Sequence, residues 1–223
     1  DDVIEEFARI YGYDNLPSSS LASRIPSQGS ENSQSVREHI RDRLVSAGMN
    51  ETISYSITDL KTINLFDSIS SDQQPITIAN PMDASKTYLR PTLVPNVLET
   101  LSRNRRADQQ NGLRLFEIGR VFLPLQTDEI DSMPVEKEEI VGAITGFSTS
   151  TDLWSESGRL MDFFDAKGIV EHTFRGLSGV LSFTKNDGTM YETGKKADIF
   201  LNEVLIGQIG ELKSDLSEFF DLS

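Results

Sequence analysis

The chain has 223 residues, 37% hydrophobic and 25% charged, which suits one large folded domain or a domain with a fragment of another. Its net charge of −14 repels phosphate backbones, so a broad nucleic-acid-binding face is not expected. The lack of cysteine excludes disulfides, thiolate nucleophiles and thiolate metal sites, and no run of 18 apolar residues offers a membrane span.

The chain opens on Asp1-Asp2, without Met or a signal-peptide pattern, and already inside a helical periodicity, as expected of a piece of a longer protein. Ile4, Phe7, Ala8 and Tyr11 share one face of a helix predicted over 2–12, with Gly12 as its stop. Asp2, Glu5 and Glu6 fall on the other side at i, i+3, i+4. Acids there complement the helix dipole. The same spacing would also serve a hard cation, because magnesium takes oxygen ligands and often only one or two carboxylates.

Tyr13 to Ser35 is Ser-rich and holds Pro17 and Pro26, so it reads as an extended connection. A helix is predicted from Ser33 or Ser35 with Val36, Ile40, Leu44 and Val45 as its buried stripe and Gly48 as its end. Thr52 to Ile57 alternates as a half-buried strand with Ile53, Tyr55 and Ile57 inward. Asp59 is placed to cap a short helix reaching Phe66. Ile76 and Ile78 suggest a short strand ending at Asn80-Pro81. Val94, Val97, Leu98 and Leu101 form the stripe of the next helix, where Pro95 is tolerable only in the first turn.

A break at Asn111-Gly112 precedes a strand region containing Leu113, Leu115, Ile118 and Phe122, in which Gly119 marks a bulge or the close approach of another backbone. Pro124 to Glu139 reads as a long acidic hairpin loop and Ile140 to Phe147 as a strand. Trp154 reads as a core or rim anchor. A helix near Asp162 to Leu177 offers Phe164, Ile169, Val170 and Phe174 for packing. Val180 to Lys185 is a strand, Ala197–Asn202 and Val204–Glu211 pair as a hairpin, and Ser214 starts a last short helix. Hairpin-linked strands with a few long helices make an α+β fold, an antiparallel sheet with helices on its faces. No P-loop and no Gly-x-Gly-x-x-Gly motif is present.

His39 and His172 lie in separate predicted helices with no catalytic motif around them and read as solvated positions. Arg103, Arg105 and Arg106 form a small basic island, read as a helix C-terminus complementing its dipole in preference to a phosphate contact.

Taken together, several segments resemble the β subunit of bacterial phenylalanine–tRNA ligases. Asp2-Val3-Ile4-Glu5-Glu6, Ala8 to Asn15 and Pro17 resemble the end of that family's B5 domain. Asn80-Pro81, Leu89-Arg90-Pro91, Leu93, Pro95, Asn104 and Leu115 to Phe122 resemble its catalytic-like module. Asp162-Phe163-Phe164-Asp165, Lys167-Gly168, Val170-Glu171 and Gly207 to Leu212 resemble the later helix and hairpin. Glu192-Thr193 and Lys213-Ser214 stand where the family usually carries His-Pro pairs, which marks a divergent member.

The resemblance implies a class II aminoacyl-tRNA synthetase fold over 33–223, expected to lack its last strand, a linker at 18–32, and a B5-like remnant at 1–17. It implies a cytoplasmic ligase that attaches phenylalanine to its tRNA with ATP, assembled with an α subunit as an (αβ)2 heterotetramer. A free-standing paralogue that binds an amino acid or adenylate without tRNA charging is the alternative. Active class II sites need a cation aimed at the α-phosphate. In active members an Arg follows the strand that here ends Gly119-Arg120-Val121-Phe122, and Leu123-Pro124-Leu125 stands in its place. The family's second Arg signal is also missing, and Arg120 lies on the wrong strand face to substitute. No catalytic residue is therefore expected, and the Leu93–Leu101 helix is expected to be part core and part subunit interface. The resemblance also implies that Asp2, Glu5 and Glu6 contribute to a magnesium site shared with the α subunit. A further ligand would lie six residues upstream of Asp2, so this chain alone is expected to hold no Mg2+.

Overall fold

The computed structural model describes residues 1–19, 32–66, 69, 73–107, 112–124, 133–148 and 159–222. Trp154, Asn111, Leu125 and residues 20–31 of the expected linker lie outside the described residues. The chain divides into two units, Asp1–Asn32 and Ser33–Ser223.

In the first unit, helix α1 (Asp2–Tyr11) ends where Gly12 adopts φ 91°, a conformation costly for a residue with a Cβ, and its N–H returns to the Ala8 carbonyl. A short 3-10 turn, Tyr13–Asn15, follows. The apolar face of α1 is present but uncovered: Val3, Ile4, Phe7 and Ile10 are all exposed, and Phe7 stacks on Tyr11.

The second unit starts with helix α2 (Asn32–Ser46), of which only Ile40 and Leu44 are buried. They pack on Met49, Phe116 and Ile118. Val36 and Val45, expected in the same stripe, are exposed instead, because the covered strip of this helix is narrow. Strand β1 (Asn50–Glu51) then pairs parallel to a later strand, and β2 (Ile57–Thr58) belongs to a separate ladder. The single strand expected over Thr52–Ile57 does not form, and its polarity is inverted. Ile53 is 94% exposed and Tyr55 83% exposed, while Thr52, Ser54 and Ser56 turn inward.

Helix α3 (Leu60–Ile63) is capped by the Asp59 carboxylate, which accepts from the Thr62 N–H at 2.8 Å. It stops three residues before the expected Phe66. The Ile76–Ile78 strand shrinks to one bridge, Thr77 to Tyr88, at the start of β3 (Tyr88–Leu89), which pairs antiparallel with β2. Helix α4 (Val94–Ala107) carries Pro95 in its first turn, as expected. Val97, Leu98 and Leu101 of the expected stripe are buried, as is Leu93 just before the helix, while Val94 is half-buried against the cluster of Phe66, Leu98, Leu216 and Phe220.

Strands β4 (Leu113–Leu123) and β5 (Val135–Thr145) pair residue for residue from Leu113 opposite Thr145 to Leu123 opposite Val135. Strand β5 thus starts five residues before the expected Ile140. Its charged half, Glu136 to Glu139, looked like loop, but it is held by ion pairs from Arg120 to Glu136 and from Arg37 to Glu138, both 2.8 Å. The unbroken register also excludes a bulge at Gly119. Leu115, Phe116, Glu117 and Ile118 are buried in succession, because β4 is the middle strand of order β1-β4-β5 and is covered on both faces. Full burial of Phe116 alone contributes about 2–3 kcal/mol.

Helix α5 (Phe163–Phe174) starts with a capping box in which the Asp162 and Asp165 side chains each bond the other's backbone N–H. Ile169 and Val170 pack as expected, whereas Phe164 is 74% exposed and Phe163 takes the inward place. Strands β6 (Leu181–Lys185), β7 (Tyr191–Leu201) and β8 (Val204–Leu212) form an antiparallel sheet, and helix α6 (Ser214–Phe219) follows. The β7–β8 hairpin turns at Asn202 and Glu203, both at positive φ, as a tight two-residue turn requires.

The architecture is α+β with mainly antiparallel ladders. Among the described residues the strands divide among three sheets, and the β1–β4 pair is parallel. Among the described residues, no helix is long and apolar enough to cross a membrane.

Candidate functional site

The strongest concentration of charge inside the second unit lies where β4 crosses the segments before β2 and after β3. Glu117 sits mid-strand with its side chain 3% exposed, and Arg90, following β3, reaches it with a side chain 5% exposed. Arg90 Nη1 donates to Glu117 Oε1 at 2.9 Å and to Ser54 Oγ at 2.8 Å, and Arg90 Nε donates to the Arg120 carbonyl at 3.0 Å. Ser54 adds its hydroxyl to the Glu117 carboxylate at 2.7 Å. The backbone is tied in as well: Arg90 N–H donates to the Ser56 carbonyl and Phe122 N–H to the Arg90 carbonyl, both at 3.0 Å. Gly119 makes the arrangement possible. A Cβ there would stand 2.7 Å from Arg90 Nη2 and 3.3 Å from Leu93 Cδ2, so the close approach is by side chains and not by another backbone.

A second carboxylate fills the adjoining helix end. Glu139 of β5 accepts from the Thr92 hydroxyl at 3.0 Å and from the Leu93 N–H, at the start of α4. A helix N-terminus attracts anions through its free N–H groups and dipole, and here the chain's own carboxylate occupies it. Burial pushes the Glu139 carboxyl above its ordinary value, against the lowering effect of the Leu93 and Thr92 hydrogen bonds and the charge of Arg90. Burial, reinforced by the Glu139 charge, likewise pushes the Tyr191 phenol up to about 12.

The remaining groups are mostly paired, although among the described residues Arg105 Nη1 is buried without a hydrogen-bond partner. Arg120 pairs with Glu136 at the surface. Leu123 ends β4 in the ladder opposite Val135, and Pro124 after it has no N–H to offer. In the basic island at the end of α4, Arg106 pairs with Asp221 at 2.9 Å and Arg103 bonds Thr100. His39 Nε2 lies 3.2 Å from the Arg175 carbonyl. His172 Nε2 lies 2.9 Å from Ser46 Oγ, and that hydroxyl donates to the Arg43 carbonyl. The contact ties α2 to α5 through the imidazole, with the donor set by its tautomer. In the other unit, Asp2, Glu5 and Glu6 are exposed on α1, with Glu6 engaged by Arg9. Among the described residues no group of three His, Asp or Glu side chains comes together to hold a metal.

Chemically, this frame sets an arginine and a helix start against the chain's own carboxylates, Glu117 and Glu139. Sequence reasoning had Arg90 and Glu117 only as parts of motifs, and it missed Ser54 and Glu139. The usable signal for Glu117 was a lone carboxylate inside the apolar run Leu113 to Phe122. Ser54 and Glu139 gave none, because each reaches its partner across 36 or more positions of chain.

The family profile that matches is "Phenylalanyl tRNA synthetase beta chain CLM domain", over residues 16–223. The chain is 37% identical over its whole length to the phenylalanine–tRNA ligase β subunit of Bacillus subtilis and 33% identical to that of Dehalococcoides mccartyi. It spans 27% of the length of each of these relatives. Among solved structures, a pyrrolysyl-tRNA synthetase of Desulfitobacterium hafniense matches 86% of this chain and 61% of its own, with a TM-score of 0.57 and 15% identity. That likeness establishes the class II synthetase fold alone.

Two outcomes are expected. Breaking one half of the buried pair, by Arg90→Met or Glu117→Leu, costs about 3–5 kcal/mol, and the double replacement costs much less than the two single costs together. Urea unfolding of the four proteins measures this, and simple additivity would show that the pair is not coupled. Because the folded pKa of Glu139 is raised, its protonated form is favoured in the fold, and stability is lost as pH rises upward from the ordinary 4.5. Glu139→Gln therefore gains in melting temperature relative to the parent above that window and loses the advantage below it. A difference independent of pH would contradict the assignment.

Proposed function

Because the chain belongs to the phenylalanyl-tRNA synthetase β-chain family, by its match over residues 16–223, we propose that it is a non-catalytic, class II synthetase-like module of a phenylalanine–tRNA ligase. In this reading a separate α subunit carries out ATP-dependent attachment of phenylalanine to its tRNA, in the cytoplasm, and the two chains assemble as (αβ)2. The observation that carries the reading is the committed state of the frame. Arg90 is neutralised by Glu117, Arg120 by Glu136, and the start of α4 by Glu139, so none of these groups is free to receive an α-phosphate. Both relatives described above are named β subunits of this ligase, which does not favour a free-standing paralogue.

The inverted segment before β2 supports the partner. Exposed Ile53 and Tyr55 project from a backbone anchored by Thr52 and Ser54, an ordered apolar edge suited to a second chain. Replacing both by Ser in the intact β chain is expected to cost about 2 kcal/mol or more of association, read as loss of co-purification with the α subunit. The β chain alone is expected to give no phenylalanine-dependent ATP–pyrophosphate exchange. Exchange by the pure β chain, or undiminished assembly of the double variant, would overturn the module's assigned role.

Asp2, Glu5 and Glu6 are proposed to supply part of a magnesium site completed by other chain segments and the α subunit. The support is their spacing and exposure on α1, and the hard-oxygen chemistry of carboxylates. The ion would neutralise that acidic patch and link it to its neighbours. Glu6 would exchange Arg9 for the ion. Calorimetry on the intact heteromer with all three replaced by their amides should show magnesium binding weakened about tenfold or more. Unchanged binding would place the ion elsewhere.

A further inference from the structure

An open pocket of about 260 Å³ lies among helix α5, the end of α2 and the start of β4, apart from the Arg90–Glu117 frame. Phe164, Gly168 and His172 follow at i, i+4, i+8 and so bring one face of α5 to it. Ile169 adds an apolar wall and Ala47 closes the α2 side. Gly168 bears directly on the space. A glycine inside a helix lowers its stability relative to alanine, and a fold needs one there where φ is positive or a neighbour crowds the Cβ. Neither holds for Gly168, which is helical and would have nothing within 4 Å of its Cβ. Its missing side chain therefore leaves room and serves no contact within the chain. Phe164, on the same face, is 74% exposed beside that room.

The pocket's cation is Arg114 of β4, which is half-buried. Its guanidinium meets only weak or distant acceptors. Nε lies 3.4 Å from Met161 Sδ, Nη1 lies 3.5 Å from the Ala47 carbonyl, and Nη2 has no hydrogen bond among the described residues. Asp165, the acid that lines the pocket, is committed elsewhere. Both of its oxygens accept from Arg159 at 2.6 Å, and one also accepts from the Asp162 N–H at 2.8 Å. Arg159 is the main reason that the Asp165 carboxyl is lowered, and Arg114 contributes least, as a charge out of contact. His172 brings no negative charge, and its Nε2 meets Ser46 Oγ at 2.9 Å. Among the described residues, Arg114 thus has no carboxylate of its own.

A half-buried guanidinium with idle N–H groups matches a carboxylate, which accepts through two oxygens. The apolar walls beside it suit a hydrocarbon body. The volume corresponds to about nine waters' share of the liquid, which is room for a carboxylate and about six carbons. We propose that this pocket binds a small carboxylic acid as its anion, with the carboxylate on Arg114 and a compact apolar body in the room left at Gly168, against Phe164 and Ile169.

Calorimetric titration of the intact protein with isocaproate, isocaproamide and acetate tests this. Isocaproate is expected to bind with a Kd of about one millimolar or tighter. Isocaproamide lacks the charge and acetate lacks the body, so each is expected to bind at least about tenfold more weakly. Gly168→Leu fills the room without meeting a neighbour and improves the helix, so it is expected to keep or raise the melting temperature while binding falls about tenfold or more. Arg114→Gln is expected to lose about tenfold in affinity, while Arg103→Gln, an equal charge change on the exposed end of α4, keeps parental binding. The proposal is overturned if isocaproate does not bind, if the amide or acetate binds as well as isocaproate, if folded Gly168→Leu binds like the parent, or if Arg114→Gln matches Arg103→Gln.

Discussion

A carboxylate in the middle of a central strand must be neutralised from within the protein, and the inverted segment before β2 and the glycine at 119 both trace to how Glu117 is satisfied. Desolvating the Arg90–Glu117 pair costs several kcal/mol per ion, so the pair persists only with good geometry and filled lone pairs. Ser54 fills one of those positions, which pulls its segment inward on its polar side. Ile53 and Tyr55 are turned out as a consequence. Gly119 is required for the same reason, because any larger residue would meet the guanidinium. A packing constraint in one strand thereby creates an exposed apolar edge in another.

The same commitments account for the proposed loss of chemistry. Adenylate formation needs free cationic donors where two anions approach. This frame keeps an arginine and a helix N-terminus in place but fills both with Glu117 and Glu139. The scaffold of a class II synthetase is retained while its electrostatics are closed on themselves. Such a module still offers a rigid shape and ordered edges, which is what an assembly partner needs.

Much of the fold was legible because its signals are local. Helix α4 follows from the Val97, Leu98, Leu101 spacing with Pro95 at its start, and α5 from the Asp162 cap. The β7–β8 hairpin follows from apolar runs meeting at Asn202-Glu203. The failures share one cause, since burial of an alternating or periodic segment depends on what covers it. Val36, Val45 and Phe164 carry the right spacing, but no described element covers them. The charged half of β5 lacks strand composition, yet an eleven-residue ladder holds it, with one cross-strand ion pair from Arg120 to Glu136.

By itself the sequence determined the α+β class, most of the helices and the acidic balance of charge. These depend on composition and short-range order, which the chain carries without folding. Only the tertiary structure decided that Thr52–Ser56 is inverted and that Glu139 occupies the start of α4. Each of these depends on partners 36 or more positions away or on a neighbouring layer, and a buried charge is satisfied by whichever donor the fold brings to it.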